Sequence, residues 1–153
     1  MLLSELLTPE RVRVGLEART KDAVIEELVG VLRDTGAVGD ADGVLRAVRQ
    51  REAVLSTGVG DGVAIPHGKS DGVAELAMAA GVAAPPLDFD ALDGQPVSLF
   101  FLLVGPEAAA GSHVRTLSRI ARLVRRDDVR ARLARAASAE EFLAVLAEAE
   151  SES

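Results

Sequence analysis

The chain has 153 residues, enough for one domain with a proper hydrophobic core and too few for two cores of ordinary size. Hydrophobic residues make up 48% and the aromatic residues are four Phe, so we expect a globular protein with a largely aliphatic core. The 17 Lys and Arg against 24 Asp and Glu leave a net charge of −7, and Trp and Tyr are absent, which argues against a nucleic-acid-binding protein.

The sequence predicts a cytoplasmic protein that does not insert into a membrane. It has no cysteine, which excludes a disulfide, a thiol nucleophile and a cysteine zinc site and is compatible with a reducing compartment. The N-terminus lacks the pattern of a signal peptide, and no apolar run approaches the roughly 18 residues that suggest a membrane span.

The first part of the chain predicts an extended segment and two helices. The segment covers residues 12–16. Thr20 is a suitable N-cap for a helix with apolar residues at the 3.6-residue period, and Gly36 stands where that helix would end. A second helix is predicted from Asp40 or Asp42 to about residue 52.

The middle of the chain predicts strands separated by glycine-rich loops. Residues 55–72 read LSTGVGDGVAIPHGKSDG and predict a loop, a brief strand at 63–65 and another loop. A strand is predicted from Leu76 to Val82, ended by Pro85 and Pro86. The continuous apolar run at 97–104 is typical of a strand buried on both faces.

Three helices are predicted to complete the chain. Ser112 is a suitable N-cap for the first, the second begins near Asp127, and Ser138 with Glu141 forms a capping box for the third. Strands interleaved irregularly with helices predict a single layered α/β domain, in which a mixed parallel and antiparallel sheet is flanked by helices.

The chain has two histidines, and their contexts make both of them candidates for chemistry. His67 follows the predicted strand at 63–65, where Pro66 restricts the backbone and Gly68 leaves room for another molecule to approach. His113 lies in the first turn of the Ser112-capped helix, where a helix N-terminus favours an anion. The alternative for each is a structural histidine.

Three other kinds of site are weighed and disfavoured. A P-loop that ends in Gly68-Lys69-Ser70 would need a glycine at position 63, which is Val. A metal site with two histidines would need a third ligand from Asp61, Asp71 or Glu52, at no characteristic spacing. A serine hydrolase would use Ser56, Ser70 or Ser112, but the chain has no G-x-S-x-G motif.

Arg51 lies near the predicted end of the second helix, where a cation suits the helix dipole. If this helix end meets the glycine-rich loop, the guanidinium could bind a phosphoryl group through two parallel hydrogen bonds. The spacing of the residues does not decide whether the two segments meet.

Arg51-Glu52, the run STGVGDGVAIPHGKS from residue 56 to 70 and His113 together resemble a known family. It is the fructose/mannitol-type enzyme IIA domain of the bacterial phosphoenolpyruvate-dependent sugar phosphotransferase system, which includes nitrogen-regulatory paralogues. The resemblance covers nearly the whole chain, and we expect residues 1–153 to form one such phosphocarrier domain. The block Ile-Pro-His-Gly is its most specific part.

The resemblance implies a phosphotransferase in which His67 carries the phosphoryl group. It implies that Arg51 and His113 stabilise that group, and that no metal or cofactor is needed. A neutral imidazole nitrogen is a good nucleophile toward phosphorus, and the phosphoramidate retains a high transfer potential.

The resemblance also implies protein partners. The donor would be the phosphocarrier protein HPr, and in a sugar transporter the acceptor would be a cysteine of the IIB domain. Alternatively, the phosphorylation state itself would regulate the binding of a target protein. We expect either a free subunit or a piece of a larger polypeptide. We also expect an apolar docking patch around the glycine-rich loop, to which Val59, Ile65 and Val63 could contribute. Of these, Val63 is the one expected to lie in the core.

Overall fold

The computed structural model describes residues 2–152. Within them the chain forms six α-helices, six strands and two 3₁₀ turns, at Pro9–Arg11 and Glu107–Ala109. In chain order the helices and strands are α1 (Leu3–Leu6), β1 (Val12–Val14), α2 (Lys21–Asp34), α3 (Ala41–Val54), β2 (Gly58–Gly60), β3 (Val63–Ala64), β4 (His67–Lys69), β5 (Ala77–Leu87), β6 (Val97–Gly105), α4 (Ala110–Leu123), α5 (Asp127–Ala134) and α6 (Ala139–Ser151).

The strands form one mixed sheet, which confirms the predicted fold class. Its order is β1-β5-β6-β3-β2, and β4 also pairs with β6. The pairs β1–β5, β3–β6 and β4–β6 are parallel, whereas β5–β6 and β2–β3 are antiparallel. The long strand β6 is therefore the central element on which the shorter strands assemble.

Helices cover both faces of the sheet, so β6 is buried on both sides as its apolar run predicts. Successive side chains of a strand point to opposite faces. On one face Leu99, Phe101 and Leu103 pack against α1, α4, α5 and α6. On the other face Phe100 and Leu102 pack against α2 and α3. Burial of each such side chain contributes on the order of 1.5–3 kcal/mol.

The predicted helix caps are correct at three of four positions. The side chains of Thr20, Asp40 and Ser138 accept hydrogen bonds from the backbone three residues on. Ser112 as an N-cap is wrong, because α4 begins at Ala110. The preceding 3₁₀ turn leads directly into α4, and its Glu107 carbonyl accepts from the N–H of Ala110, the first residue of the helix.

The prediction that Pro85 and Pro86 end a strand is also wrong, since β5 continues to Leu87 and contains a cis peptide bond at Ala84–Pro85. The strand tolerates the prolines because neither neighbour uses their missing N–H groups. Strand β1 pairs only with residues 80–82, and the pairing with β6 is interrupted between Val82 and Leu87.

Across residues 2–152, none of the helices has both the length and the apolar character that crossing a membrane requires.

Candidate functional site

His67 stands at the start of β4, where the sequence analysis predicted a loop. Strand β6 is long enough to pair with β3 through its first part and with β4 through its last part. The two short strands follow each other along this edge, and the N–H of Leu103 donates to the carbonyl of Pro66 between them at 3.0 Å. Strand β4, which carries His67, is thus held by pairing with β6, the buried central strand of the sheet.

The ring of the half-buried His67 is oriented by its own backbone. Its Nδ1 lies 2.9 Å from the carbonyl oxygen of Ile65. Because a carbonyl oxygen can only accept a hydrogen bond, Nδ1 carries the proton of the neutral ring and Nε2 has the lone pair. This tautomer makes Nε2 the nucleophilic atom.

His113 lies beside His67, although the two are far apart in the sequence. It is the fourth residue of α4, not a residue of its first turn, and is only 2% exposed. The ring centroids of the two histidines are 5.6 Å apart in an edge arrangement. Neither ring nitrogen of His113 has a hydrogen-bond partner among residues 2–152. A buried side chain with two unused polar atoms is suited to a polar group that arrives from outside.

Helix α3 packs directly on β4 and brings Arg51 toward His67. A Cβ atom on Gly68 would lie 2.9 Å from the backbone nitrogen of Val48. The sequence analysis expected Gly68 to leave room for another molecule. The space is instead filled by the protein's own helix α3. Arg51 is one turn further along α3, where its Nη1 donates to the carbonyl of Leu55 at 2.7 Å.

The electrostatic environment keeps both histidines neutral near pH 7 and attracts anions. Burial lowers the pKa of His67, and the positive charges of Arg51 and Lys69 lower it further, against opposing effects of the Ile65 carbonyl and Glu52. Burial, together with His67 and Lys69, lowers the pKa of His113 to about 4. Two cations beside a neutral imidazole favour a bound phosphoryl group over a protonated ring.

A buried carboxylate behind the site was missed as a functional group, since Glu52 was considered only as a metal ligand. Its oxygens accept from the N–H of Thr57 at 3.1 and 3.0 Å and from the Thr57 hydroxyl. Lys21 Nζ lies 2.8 Å from the same carboxylate. The sequence signal available was an acidic residue five positions before a threonine, which is too common to single out.

Two of the alternative sites, the metal site and the P-loop, are not formed by the residues that the sequence offered for them. Glu52 is fully engaged, and in the described part of the chain no group of three or more His, Cys, Asp and Glu residues could hold a metal ion. Lys69 belongs to β4, and the hydroxyl of Ser70 accepts from the N–H of Gly72, so the segment Gly68-Lys69-Ser70 does not form a phosphate-binding loop.

The predicted apolar patch is correct only in part. Ile65 and Val63 are core residues, with 5% and 0% exposure, whereas Val59 is 53% exposed. Leu55, Leu92 and Val114 are exposed as well. Leu92 lies near Val59 because its N–H donates to the carbonyl of Gly58.

The chain matches known proteins over nearly its whole length. Residues 5–149 match the family model described as "Phosphoenolpyruvate-dependent sugar phosphotransferase system, EIIA 2". The chain is 40% identical over 129 residues to the fructose-specific EIIA component of Haloferax volcanii, with 84% of each chain covered. It is 36% identical over 146 residues to the fructose-specific EIIABC component of Bacillus subtilis, covering 95% of this chain but only 23% of that protein.

Two solved structures have the same fold. Nitrogen regulatory protein IIA-Ntr from Neisseria meningitidis superposes with a TM-score of 0.86 at 36% identity, covering 94% of this chain and 98% of that one. Enzyme IIAMTL from Escherichia coli, solved in complex with phosphorylated IIBMTL, gives 0.80 at 22% identity, covering 93% and 97%. With the family model matched across 5–149, the chain belongs to the type 2 EIIA family of the phosphoenolpyruvate-dependent sugar phosphotransferase system, a family of phosphotransferase domains.

Proposed function

We propose that the protein, taken as one domain over residues 1–153, is a phosphocarrier that accepts a phosphoryl group on Nε2 of His67 from phosphorylated HPr. The observation that carries this proposal is the hydrogen bond between Nδ1 of His67 and the Ile65 carbonyl, which leaves the lone pair on Nε2. As the Nε2–P bond forms, the bond between phosphorus and the donor breaks and the donor keeps its electron pair.

Arg51 and His113 stabilise the transferred group in this proposal. Phosphoryl transfer passes through a loose transition state, so catalysis consists mainly of positioning and charge stabilisation. The guanidinium of Arg51 supplies charge, and an unpartnered ring nitrogen of His113 supplies a hydrogen bond once the phosphoryl group is present. Neither role needs a metal or a cofactor.

Exposed apolar side chains near the site are suited to a transient protein partner. Leu55, which is 56% exposed, lies beside Arg51, whose Nη1 donates to its carbonyl. Val59 is 53% exposed on β2, and the exposed Val114 follows His113 in the chain. An apolar patch with a charged rim is typical of a small protein interface. We propose that HPr docks here, in the cytoplasm, and that a IIB domain then takes its place.

The recipient of the phosphoryl group separates two functions. In the first, a cysteine of a IIB domain receives it for sugar uptake, which the fructose-specific relatives and the solved complex with phosphorylated IIBMTL support. In the second, phosphorylation controls the binding of a regulatory target, which the likeness to nitrogen regulatory protein IIA-Ntr supports. We favour the first and keep the second as the alternative.

The test is a stepwise relay with purified components. The protein is incubated with phosphoenolpyruvate, enzyme I and HPr, separated from them, and mixed with IIB domains of the fructose and mannitol type. Loss of the label from this protein and its appearance on a IIB cysteine supports the transport function. A stable label, together with a target captured by only one phosphorylation state, favours the regulatory function.

A further inference from the structure

A continuous chain of hydrogen bonds connects the buried carboxylate of Glu52 to the ring of His67. The carboxylate accepts from the N–H and hydroxyl of Thr57. The carbonyl of Thr57 accepts from the N–H of Ile65 at 2.9 Å. The carbonyl of Ile65 accepts from Nδ1 of His67 at 2.9 Å. Three links therefore lead from helix α3 to the nucleophile.

Glu52 is bound too completely to take part in the chemistry itself. Its side chain is 5% exposed, and Lys21 Nζ lies 2.8 Å from Oε2. The same ammonium lies 5.0 Å from the centre of the Phe89 ring, which restrains it. A buried carboxylate with both oxygens engaged in this way is not placed to bind phosphate, but it can fix the segment around Thr57 that it holds.

We propose that Glu52 is a positioning residue for His67, which acts through the backbone of Thr57 and Ile65 to keep the ring proton on Nδ1 and the lone pair on Nε2. The inference rests on the proposed function, since it assigns Glu52 a task in the same transfer. Glu52 itself does not touch the phosphoryl group.

The tautomer matters because a neutral imidazole has one nucleophilic nitrogen at a time. If the segment from Leu55 to Ile65, which contains β2 and β3, relaxes, the Ile65 carbonyl no longer holds the Nδ1 proton, and the proton can move to Nε2. A ring protonated on Nε2 has no lone pair there to attack phosphorus. Loss of the anchor should therefore slow phosphorylation without removing the histidine.

The experiment uses Glu52→Gln, which keeps the size of the side chain. The new amide nitrogen is a donor, so it must face either the donors of Thr57 or the ammonium of Lys21. Ring nitrogen NMR should report a protonated Nδ1 and an unprotonated Nε2 for His67 in the wild type and a mixture of tautomers in the variant. We expect phosphorylation by phospho-HPr to slow about tenfold or more.

A double variant, Lys21→Met with Glu52→Gln, tests the mechanism by rescue. Without the ammonium, the amide nitrogen can turn away from Thr57 while the amide oxygen accepts from it. The wild-type tautomer and most of the rate should return. This outcome is not expected if Glu52→Gln acts only by weakening the fold.

Glu27→Gln is the matched control. Glu27 also anchors a loop, since it accepts from the N–H groups of Glu17 and Ala18 and pairs with Arg13 at 3.1 Å. This loop is not connected to His67 through the Thr57 and Ile65 backbone, so Glu27→Gln should leave the tautomer and the rate unchanged.

A folded Glu52→Gln with the wild-type tautomer and rate would overturn the inference. If that variant does not fold, Glu52→Asp, which keeps the charge but withdraws the carboxylate from Thr57 by one methylene, is measured in the same way, and an unchanged tautomer there would overturn it too. If the wild type accepts no phosphate, the proposed function fails, while the tautomer comparison still decides the role of Glu52.

Discussion

Gly68→Ala tests whether the contact between α3 and β4 sets the geometry of the site. The added Cβ would lie 2.9 Å from the nitrogen of Val48 and 3.0 Å from the carbonyl carbon of Ala47. The shorter contact is about 0.5 Å less than the 3.4 Å at which ordinary van der Waals contact begins. Both neighbours are backbone atoms, so the helix or the strand has to move.

We expect two consequences of this movement. Overpacking of a close-packed interface lowers the free energy of unfolding by about 1–3 kcal/mol, which urea denaturation measures. Because α3 carries Arg51 and β4 carries His67, the same movement separates the two. A displacement near 1 Å can cost 10²-fold in rate, so half of it should slow phosphorylation about tenfold.

Gly30→Ala is the control for the substitution itself. Gly30 lies inside α2, where a Cβ would meet only the end of the Arg33 side chain at 3.6 Å. Replacing a helical glycine by alanine should stabilise the protein by about 0.5–1 kcal/mol and leave phosphorylation unchanged. If Gly68→Ala matches the wild type in both stability and rate, the account of the α3–β4 contact is incorrect.

Two further substitutions test the groups around the phosphoryl site. His113→Leu removes two buried nitrogens that have no partner among residues 2–152, so at pH 7 we expect about 1 kcal/mol more stability in urea denaturation and slower transfer. The pKa of His113 in the folded state, about 4 against the usual 6.5, means that the unfolded chain binds the proton first. The wild type should therefore lose stability as the pH falls from 6.5 toward 4, and the variant should lose less; equal slopes would argue against a buried neutral ring. Arg51→Lys keeps the charge but not the guanidinium fork, and should slow phosphorylation by about tenfold in a rapid-mixing assay, whereas an unchanged rate would leave Arg51 with a structural role alone.

The elements that were predicted correctly are those with a clear signal in their own short stretch of sequence. Thr20 and Asp40 cap helices because a short polar side chain before an amphipathic segment can accept the first N–H groups whatever the rest of the chain does. Strand β6 was predicted because its apolar run requires burial on both faces. The prediction of Ser112 as an N-cap was wrong because the 3₁₀ turn before α4 leads directly into the helix, which starts two residues earlier, at Ala110.

The candidate site depends on contacts between distant segments, which periodicity and spacing do not encode. His67 and His113 meet because β4 and α4 both join the end of β6, and only the family resemblance brought the two together beforehand. The hydrogen bonds from His67 to Ile65 and from Thr57 to Glu52 could not be predicted from the sequence, because they can be identified only from atomic positions. The sequence analysis expected a close neighbour at Gly68, and there is one. Only the tertiary structure identifies that neighbour as helix α3.

Phosphorylation of His67 is tested most directly by the intact mass of the protein after incubation with phosphoenolpyruvate, enzyme I and HPr, before and after mild acid. The measurement compares the wild type, His67→Ala and His113→Ala. We expect one acid-labile phosphoryl group on the wild type, none on His67→Ala, and one that accumulates slowly on His113→Ala. A labelled His67→Ala, or a wild type that stays unmodified in the presence of phosphorylated HPr, would contradict this expectation.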